Sequence, residues 1–350
     1  MGILARTCNL SSYTTQTDLP EDFLSKIASK IRYHAFREIE QDSVDEKSIG
    51  WVDLYNMLDN QFEKISFLKE PYIVLSLRVD TRIVPSTTLK RCCLEAEDTI
   101  KKAEGITELP KKRTAEIKDS VKFKLLKATI PSSKVYDMVW NYLEGYVFFT
   151  NVSHKLCDEF QELFYNTFDV HTAITELSVI GSELLEKKNF PEKIVQDFMF
   201  IDIAGAEFLT WLWNRASGNG ATVGDIDIFF DGRVVLKSDD ADSKDSVTCV
   251  GDSQSMREID TALENDKHIV QAKLMMTTES GEWIFTLDAL YFDLKSLKPP
   301  KITLNSEEDL DGFVYEKIYL LEEIVKTLRT IYMQFVLEYG KQMKGEKHVD

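Results

Sequence analysis

The 350-residue chain is short of the features that most often identify a protein from its sequence. It has only five cysteines, Cys8, Cys92, Cys93, Cys157 and Cys249, scattered and without a C-x-x-C spacing. That excludes a disulfide framework and a cysteine-rich zinc site and favours a reducing compartment, the cytoplasm. The five histidines, His34, His154, His171, His268 and His348, show no metal-ligand spacing. Walker A, G-x-S-x-G, H-E-x-x-H and the Ser-His-Asp order are missing, and Gly218-x-Gly220-x-x-x-Gly224 departs from the dinucleotide fingerprint by one residue. No cofactor and no bound metal are expected. No apolar run is long enough for a bilayer span: the most apolar window, 198–213, is broken by Asp202 and Glu207. A secretory leader is not evident, and Arg6 stands where a myristoylation signal needs Ser or Thr, so a soluble chain with no membrane partner is expected.

Basic residues are also scarce: 42 Lys and Arg face 59 Asp and Glu, for a net charge of −17. This makes one stretch stand out. Between Lys111 and Lys134 there are eight basic residues, Lys111, Lys112, Arg113, Lys118, Lys122, Lys124, Lys127 and Lys134, and two acids, Glu116 and Asp119. A cationic island in an acidic chain draws anions and costs self-repulsion unless something offsets it. The acidic remainder excludes a surface that binds polyanions everywhere, so any nucleic-acid site must be local.

The content of 43% hydrophobic and 29% charged residues is that of a globular chain. A first strand is predicted over 5–15 and a helix over 20–30, capped by Thr17 or Asp18. The polar connection 38–47 leads to Gly50-Trp51-Val52, where the indole reads as a packing anchor. Strands follow at 72–79 and 82–85, joined at Asp80-Thr81, although their apolar alternation is imperfect. Ser86 or Thr87 then caps a helix that Gly105 stops, and Pro110 opens the basic helix, 110–128. At 100° per residue Thr114, Ile117, Val121, Leu125 and Ala128 share a face. Lys111, Lys118 and Lys122 flank that stripe on one side, with Arg113, Lys124 and Lys127 on the other. Two readings stay open: lysines that snorkel around a buried stripe, or a face that meets phosphates. Lys90 and Arg91 on the preceding helix and Lys237 in a later strand complete the candidate DNA contacts.

A hairpin about Glu144-Gly145 joins 135–143 to 146–151, and Ser153 starts a helix whose Phe160, Leu163, Phe164 and Phe168 read as core. The chain then divides into a helical middle, 152–219, a second antiparallel sheet, 220–304, and a long C-terminal helix, 305–350, after an N-terminal α/β region, 1–151. In the second sheet a hairpin is predicted at Asp231-Gly232 and another at Ser280-Gly281. The long helix carries a stripe of Phe313, Ile318, Leu321, Ile324, Leu328, Ile331, Phe335 and Tyr339, an apolar surface expected to exceed what one curved chain can cover, which predicts a homodimer. Carboxylates at Asp225, Asp227 and Asp293, with Lys295, offer an alternative chemistry, a Mg²⁺-dependent nuclease. A third reading is an acidic protein-interaction scaffold with no DNA role.

In its order of features the chain resembles the RdgC family, the bacterial recombination-associated proteins. The resemblance rests on the first strand and helix, Gly50-Trp51-Val52, Ile83-Val-Pro85-Ser86 before a charged helix, and a Lys-rich helix ending before Pro131. It continues through Val139-Trp140 to Tyr146-Val147, Leu209-Thr-Trp211, Asp231-Gly232-Arg-Val-Val235, His268 to Leu274, Leu294-Lys295 and Asp311-Gly-Phe313. It implies an α+β fold of antiparallel sheets and long helices, in a curved, elongated protomer that closes into a ring-shaped dimer. It further implies non-enzymatic, sequence-independent binding of double-stranded DNA, with single strands left open, in competition with a recombinase and in association with the nucleoid. The family's label as an exonuclease is in line with the carboxylate alternative. The segment Pro131-Ser-Ser-Lys134 lacks the family's aromatic after the proline, and the loop after Val235 is longer and more acidic, with Asp239, Asp240 and Asp242.

Overall fold

The computed structural model describes residues 2–40, 42–63, 65–174, 176–201, 203–216, 220–238, 245–252, 257–302 and 309–345. The loop acids Asp239, Asp240 and Asp242, the Gly218-Asn219 pair, Asp202 and His348 lie outside them. The N-terminal elements are β1 (Cys8–Thr15), α1 (Phe23–Tyr33), β2 (Lys47–Val52), β3 (Leu68–Lys69), β4 (Tyr72–Thr81), α2 (Ser86–Glu104) and α3 (Lys111–Ala128). Next come β5 (Ser132–Asn141), β6 (Tyr146–Phe149), α4 (His154–Phe168), β7 (Thr172–Ile174), α5 (Leu177–Lys187), α6 (Glu192–Met199) and α7 (Ala204–Ala216). The rest is β8 (Ala221–Val223), β9 (Ile226–Ser238), β10 (Ser246–Asp252), α8 (Arg257–Glu264), β11 (Lys267–Thr278), β12 (Gly281–Asp288), β13 (Asp293–Lys298) and α9 (Leu310–Met343).

The two expected sheets are one. The order β10-β9-β11-β12-β13-β1-β6-β5-β4-β2 runs through β1, with β3, β7 and β8 alongside, and every pairing between these strands is antiparallel. The start of β1 (Cys8, Leu10) pairs with β13, and its later residues, Ser11 to Thr14, pair with β6. The mixed α/β class with long helices stands as expected.

Strand β4 explains the imperfect alternation of its sequence. A strand covered on both faces reads as a continuous apolar run. Ile73, Leu75 and Leu77 join Met138, Trp140, Val147 and Phe149 in a core roofed by Ile27 and Ile31 of α1 and Phe160, Phe164 and Phe168 of α4. Val74, Val139 and Phe148 point the other way, into a second core with Ile318, Leu321, Ile324 and Leu328 of α9. Trp51 is the expected anchor: it is fully buried, donates to the Thr167 hydroxyl at 2.8 Å and packs edge-on against Phe160.

Several local expectations are corrected. β4 is a single strand to Thr81, and Arg82 to Pro85 lead into α2 without forming another. Helix α1 begins at Phe23 after Asp22, with no capping bond from Thr17 or Asp18, and Pro85 takes the position expected for Ser86 or Thr87. Asp231-Gly232 is no hairpin. Gly232 has the left-handed φ of +90°, yet the chain runs straight on, because Phe230 and Val234 face Leu274 and Ala272 and leave residues 231–233 as a bulge. Asp231 there meets Lys273 at 2.8 Å. The α9 stripe is covered within the chain: Ile318, Leu321, Ile324, Leu328, Ile331 and Phe335 are all buried, so it requires no second copy.

Gly50 is set by a close backbone crossing. Phe36 donates its N–H to the Trp51 carbonyl at 2.9 Å, and a Cβ on residue 50 would lie 2.4 Å from the Phe36 Cα. Neither partner is a flexible side chain, so Gly50→Ala should cost about 1–3 kcal/mol by overpacking. Urea unfolding reads this directly, and a variant as stable as the parent would show that the crossing yields freely.

Candidate nucleic-acid interface

Helices α2 and α3 form a hairpin that packs on itself and makes no comparable contact with any other helix or strand. Gly105 ends α2 in the left-handed conformation at φ +67°, a backbone state that glycine adopts without Cβ strain. Pro110 precedes α3, its fixed φ suited to a helix start, and its carbonyl accepts from the N–H of Arg113 and Thr114. Across the tip, the Arg113 guanidinium grips Glu104 with both terminal nitrogens, which holds the Glu104 carboxyl below its usual range. None of α2 is fully buried, and α3 buries only Ile117 and Leu126. The expected stripe is thus half present: Thr114, Val121 and Leu125 are partly covered, while Ala128 is exposed.

The basic residues fall into two groups. Lys111, Lys112, Lys118 and Lys124 are exposed and form no ion pair with any described residue. Arg113, Lys122 and Lys127 are held by acids. Lys122 meets Glu46, and Lys127 meets Asp42 at 2.9 Å while its ammonium stands 4.5 Å from the Phe123 ring centre. The hydrogen bond from Lys127 keeps the Asp42 carboxyl below the ordinary range. Asp42 and Glu46 belong to the connection that reads in sequence only as polar; its density of acids was the available signal.

The remaining candidates are dispersed. On α2, Lys90 is exposed and Arg91 pairs with Glu95 one turn on. Lys134 is exposed at the start of β5, opposite Val79. Lys237 is exposed on β9, opposite Ser246 and His268. Five strands separate β9 from β5 in the sheet order, roughly 25–30 Å at the usual spacing, so Lys237 is not brought to the hairpin.

The carboxylate alternative does not assemble. Asp225 is in the turn before β9, and Asp227 on β9 accepts from the Thr222 hydroxyl at 2.8 Å, opposite Thr277. Asp293 opens β13, and the register runs Asp293 to Asp288, to Gln271, to Val235. Asp227 and Asp293 therefore sit at opposite ends of the sheet, roughly 20–25 Å apart by strand rise. Among the described residues no group of three or more His, Cys, Asp or Glu could hold a metal ion. Lys295 binds Asp288 at 2.7 Å. No helix among the described residues is long and apolar enough to cross a membrane.

The family model described as "Putative exonuclease, RdgC" matches residues 8–183, from β1 into α5. The chain belongs to the RdgC family. No curated protein matches it. The matched RdgC portion contains the hairpin, the acidic connection and both faces of β4, and it ends before Asp225, Asp227 and Asp293. The carboxylates of the nuclease reading thus stand outside the part by which membership is recognised.

Asp293 is nonetheless unusual. Burial, and then the neighbouring Asp288, push its carboxyl up to about 7, against a smaller opposite pull from Lys295. Its unfolded value is near 3.8, so between there and about 7 the folded state keeps a proton that the unfolded chain has lost. The stabilisation is whole below that window and is lost as pH rises through it. Relative to Asp293→Asn, which stays neutral, the parent should lose on the order of 2–4 kcal/mol of unfolding free energy between pH 4 and 7. Denaturant titrations across that range measure the difference, and parallel profiles would contradict the shift.

Proposed function

We propose that this RdgC-family chain binds DNA without sequence preference through the α2–α3 hairpin. The observation that carries the reading is the set of four exposed lysines on α3, Lys111, Lys112, Lys118 and Lys124, unpaired among the described residues of a chain of net charge −17. Lysine ammoniums on a projecting helix suit phosphates, which present the same charge at every base step. They lack the planar donor fork that reads guanine edges. The acidic remainder then confines polyanions to this hairpin. On this reading the protein acts as a homodimer closed into a ring around duplex DNA, in the nucleoid, where it restrains recombinase-dependent recombination. Support for the ring and the recombinase link comes from the family resemblance.

Binding should be steeply salt-dependent. Replacing Lys111, Lys118 and Lys124 by Ala breaks no ion pair and keeps good helix formers in place. It should flatten the slope of log K against log salt by about 2–3 and weaken all sequences alike. A folded triple variant with unchanged affinity and slope would leave these lysines only solvating the helix. For the assembly, sedimentation at micromolar concentration should give a dimer, and a monomer would remove the ring.

A second reading follows from the family's own description, an exonuclease. If Asp225, Asp227 and Asp293 formed one metal site, Asp227→Ala would abolish Mg²⁺-dependent cleavage. Given the distance between them along the sheet, any cleavage by the purified protein should survive Asp227→Ala unchanged, as release of nucleotides from labelled duplex would reveal.

A further inference from the structure

The connection between α1 and β2 is strongly acidic, with Glu38, Glu40, Asp42, Asp45 and Glu46 within nine residues. It is firmly anchored. The guanidinium of Arg82, only 4% exposed, donates to the carbonyls of Ile39, Glu40 and Ser43 at 3.2–3.3 Å, and the Arg82 backbone N–H donates to the Glu46 carbonyl at 2.8 Å. Arg82 has no carboxylate partner among the described residues; its two terminal nitrogens donate to the backbone of this strap, while its buried Nε has no hydrogen-bond partner there. Asp45 is turned to Ser43. Glu38 and Glu40 are exposed and form no described ion pair. Asp42 and Glu46 are the two acids that reach α3, where they take Lys127 and Lys122.

Lys122 lies on the same flank of α3 as Lys111 and Lys118, within about 40° on the helical wheel. A phosphate track along that flank would therefore run into a lysine that already has a carboxylate on it. On the opposite flank, Lys127 stands beside the exposed Lys124 and likewise already has a carboxylate on it. Both pairs are substantially solvent-exposed, so they are weak enough for a phosphate to displace. Because Arg82 fixes the strap backbone, however, the carboxylates return to the same place and compete at high local concentration.

We propose that the strap is a built-in competitor, a short polyanion mimic that holds Lys122 and Lys127 back from DNA. The hairpin engages first through Lys111, Lys112, Lys118 and Lys124, and the two remaining lysines join only when phosphates displace Asp42 and Glu46. This rests on the DNA-binding reading of the hairpin, and its test separates the two.

The double variant Asp42→Asn/Glu46→Gln keeps side-chain size and removes two charges at exposed positions. Glu38→Gln/Glu40→Gln removes the same charge from the same strap without touching α3. In the free proteins, acetylation of Lys122 and Lys127 by an N-hydroxysuccinimide ester, followed by mass spectrometry, should rise several-fold in the first variant only. On a 30-base-pair duplex at low salt that variant should bind about three- to tenfold more tightly than the control pair, with a salt slope steeper by about 1–2. Freed lysines with affinity equal to or below the control's would overturn the competitor and leave the DNA reading intact, since the strap would then only orient the hairpin. Unchanged acetylation would overturn it as well. Freed lysines in a protein that binds no duplex in either form would overturn the DNA reading, and the inference with it.

Discussion

The burial of β4 on both faces is the constraint from which the rest of the N-terminal half follows. A strand whose odd and even side chains are both apolar must be covered twice. The odd side takes α1 and α4 with their phenylalanines, and the even side takes α9 from the far end of the chain. That second cover is what ties residues near 320 to a strand near 74. It is reinforced by Glu322, which accepts from the Tyr72 hydroxyl at 2.7 Å and also from Tyr146. With β1 pairing both β13 and β6, the two halves of the sheet share strand and helix, and the core on the even side of β4 runs on beneath both of them.

The even face changes character along the strand. After Val74 come Ser76, Arg78, Asp80 and then Arg82, all buried. Charges in such a place destabilise unless their hydrogen bonds are met. Arg78 and Asp80 form a bidentate pair at 2.9 and 3.0 Å, the guanidinium stacks 4.2 Å from the Phe36 ring centre and donates to the Met57 carbonyl. Ser76 donates to Asp137, which also accepts the N–H of Ile3. This polar row lies where loop and N-terminal segments take over the cover of the sheet, and backbone groups need donors and acceptors that an aliphatic face cannot supply. Arg82, next in the row, is thereby committed to the acidic connection, so the packing of the core strand determines where that connection lies.

What could be read from sequence was whatever has a short-range cause. Gly105 and Pro110 fix the hairpin because their backbone preferences are local, and the α9 stripe shows its helical period plainly. Trp51 is an anchor in any context. The failures share the opposite property. Asp231-Gly232 has hairpin chemistry, but whether the chain reverses depends on β10 and β11, which hold both sides of β9 and turn the glycine into a bulge. The α9 stripe looks unpaired until the sheet it covers is assembled. Asp225, Asp227 and Asp293 are plausible partners in one dimension only, since strand register sends them to opposite ends. Among the candidate site residues, the basic cluster of α3 stood out by charge contrast. Glu46 and Asp42 were not, because ion pairing at a sequence separation of 76 and 85 residues leaves no periodic trace.

The hairpin contrasts with all this. It buries two side chains of α3 and none of α2, so the fold draws little stability from it and places few demands on its outer faces. Its composition is then free to follow another requirement. With 59 acids against 42 bases, a surface lysine does not lack for partners, and Arg113, Lys122 and Lys127 each have one. The acids of α3 itself, Glu116 and Asp119, project on the wheel from the side opposite or oblique to Lys118 and leave the Lys111–Lys118 flank uncompensated. Lysines left bare in so acidic a chain are held apart by geometry, and that arrangement raises the local potential on a hairpin from which the fold draws little.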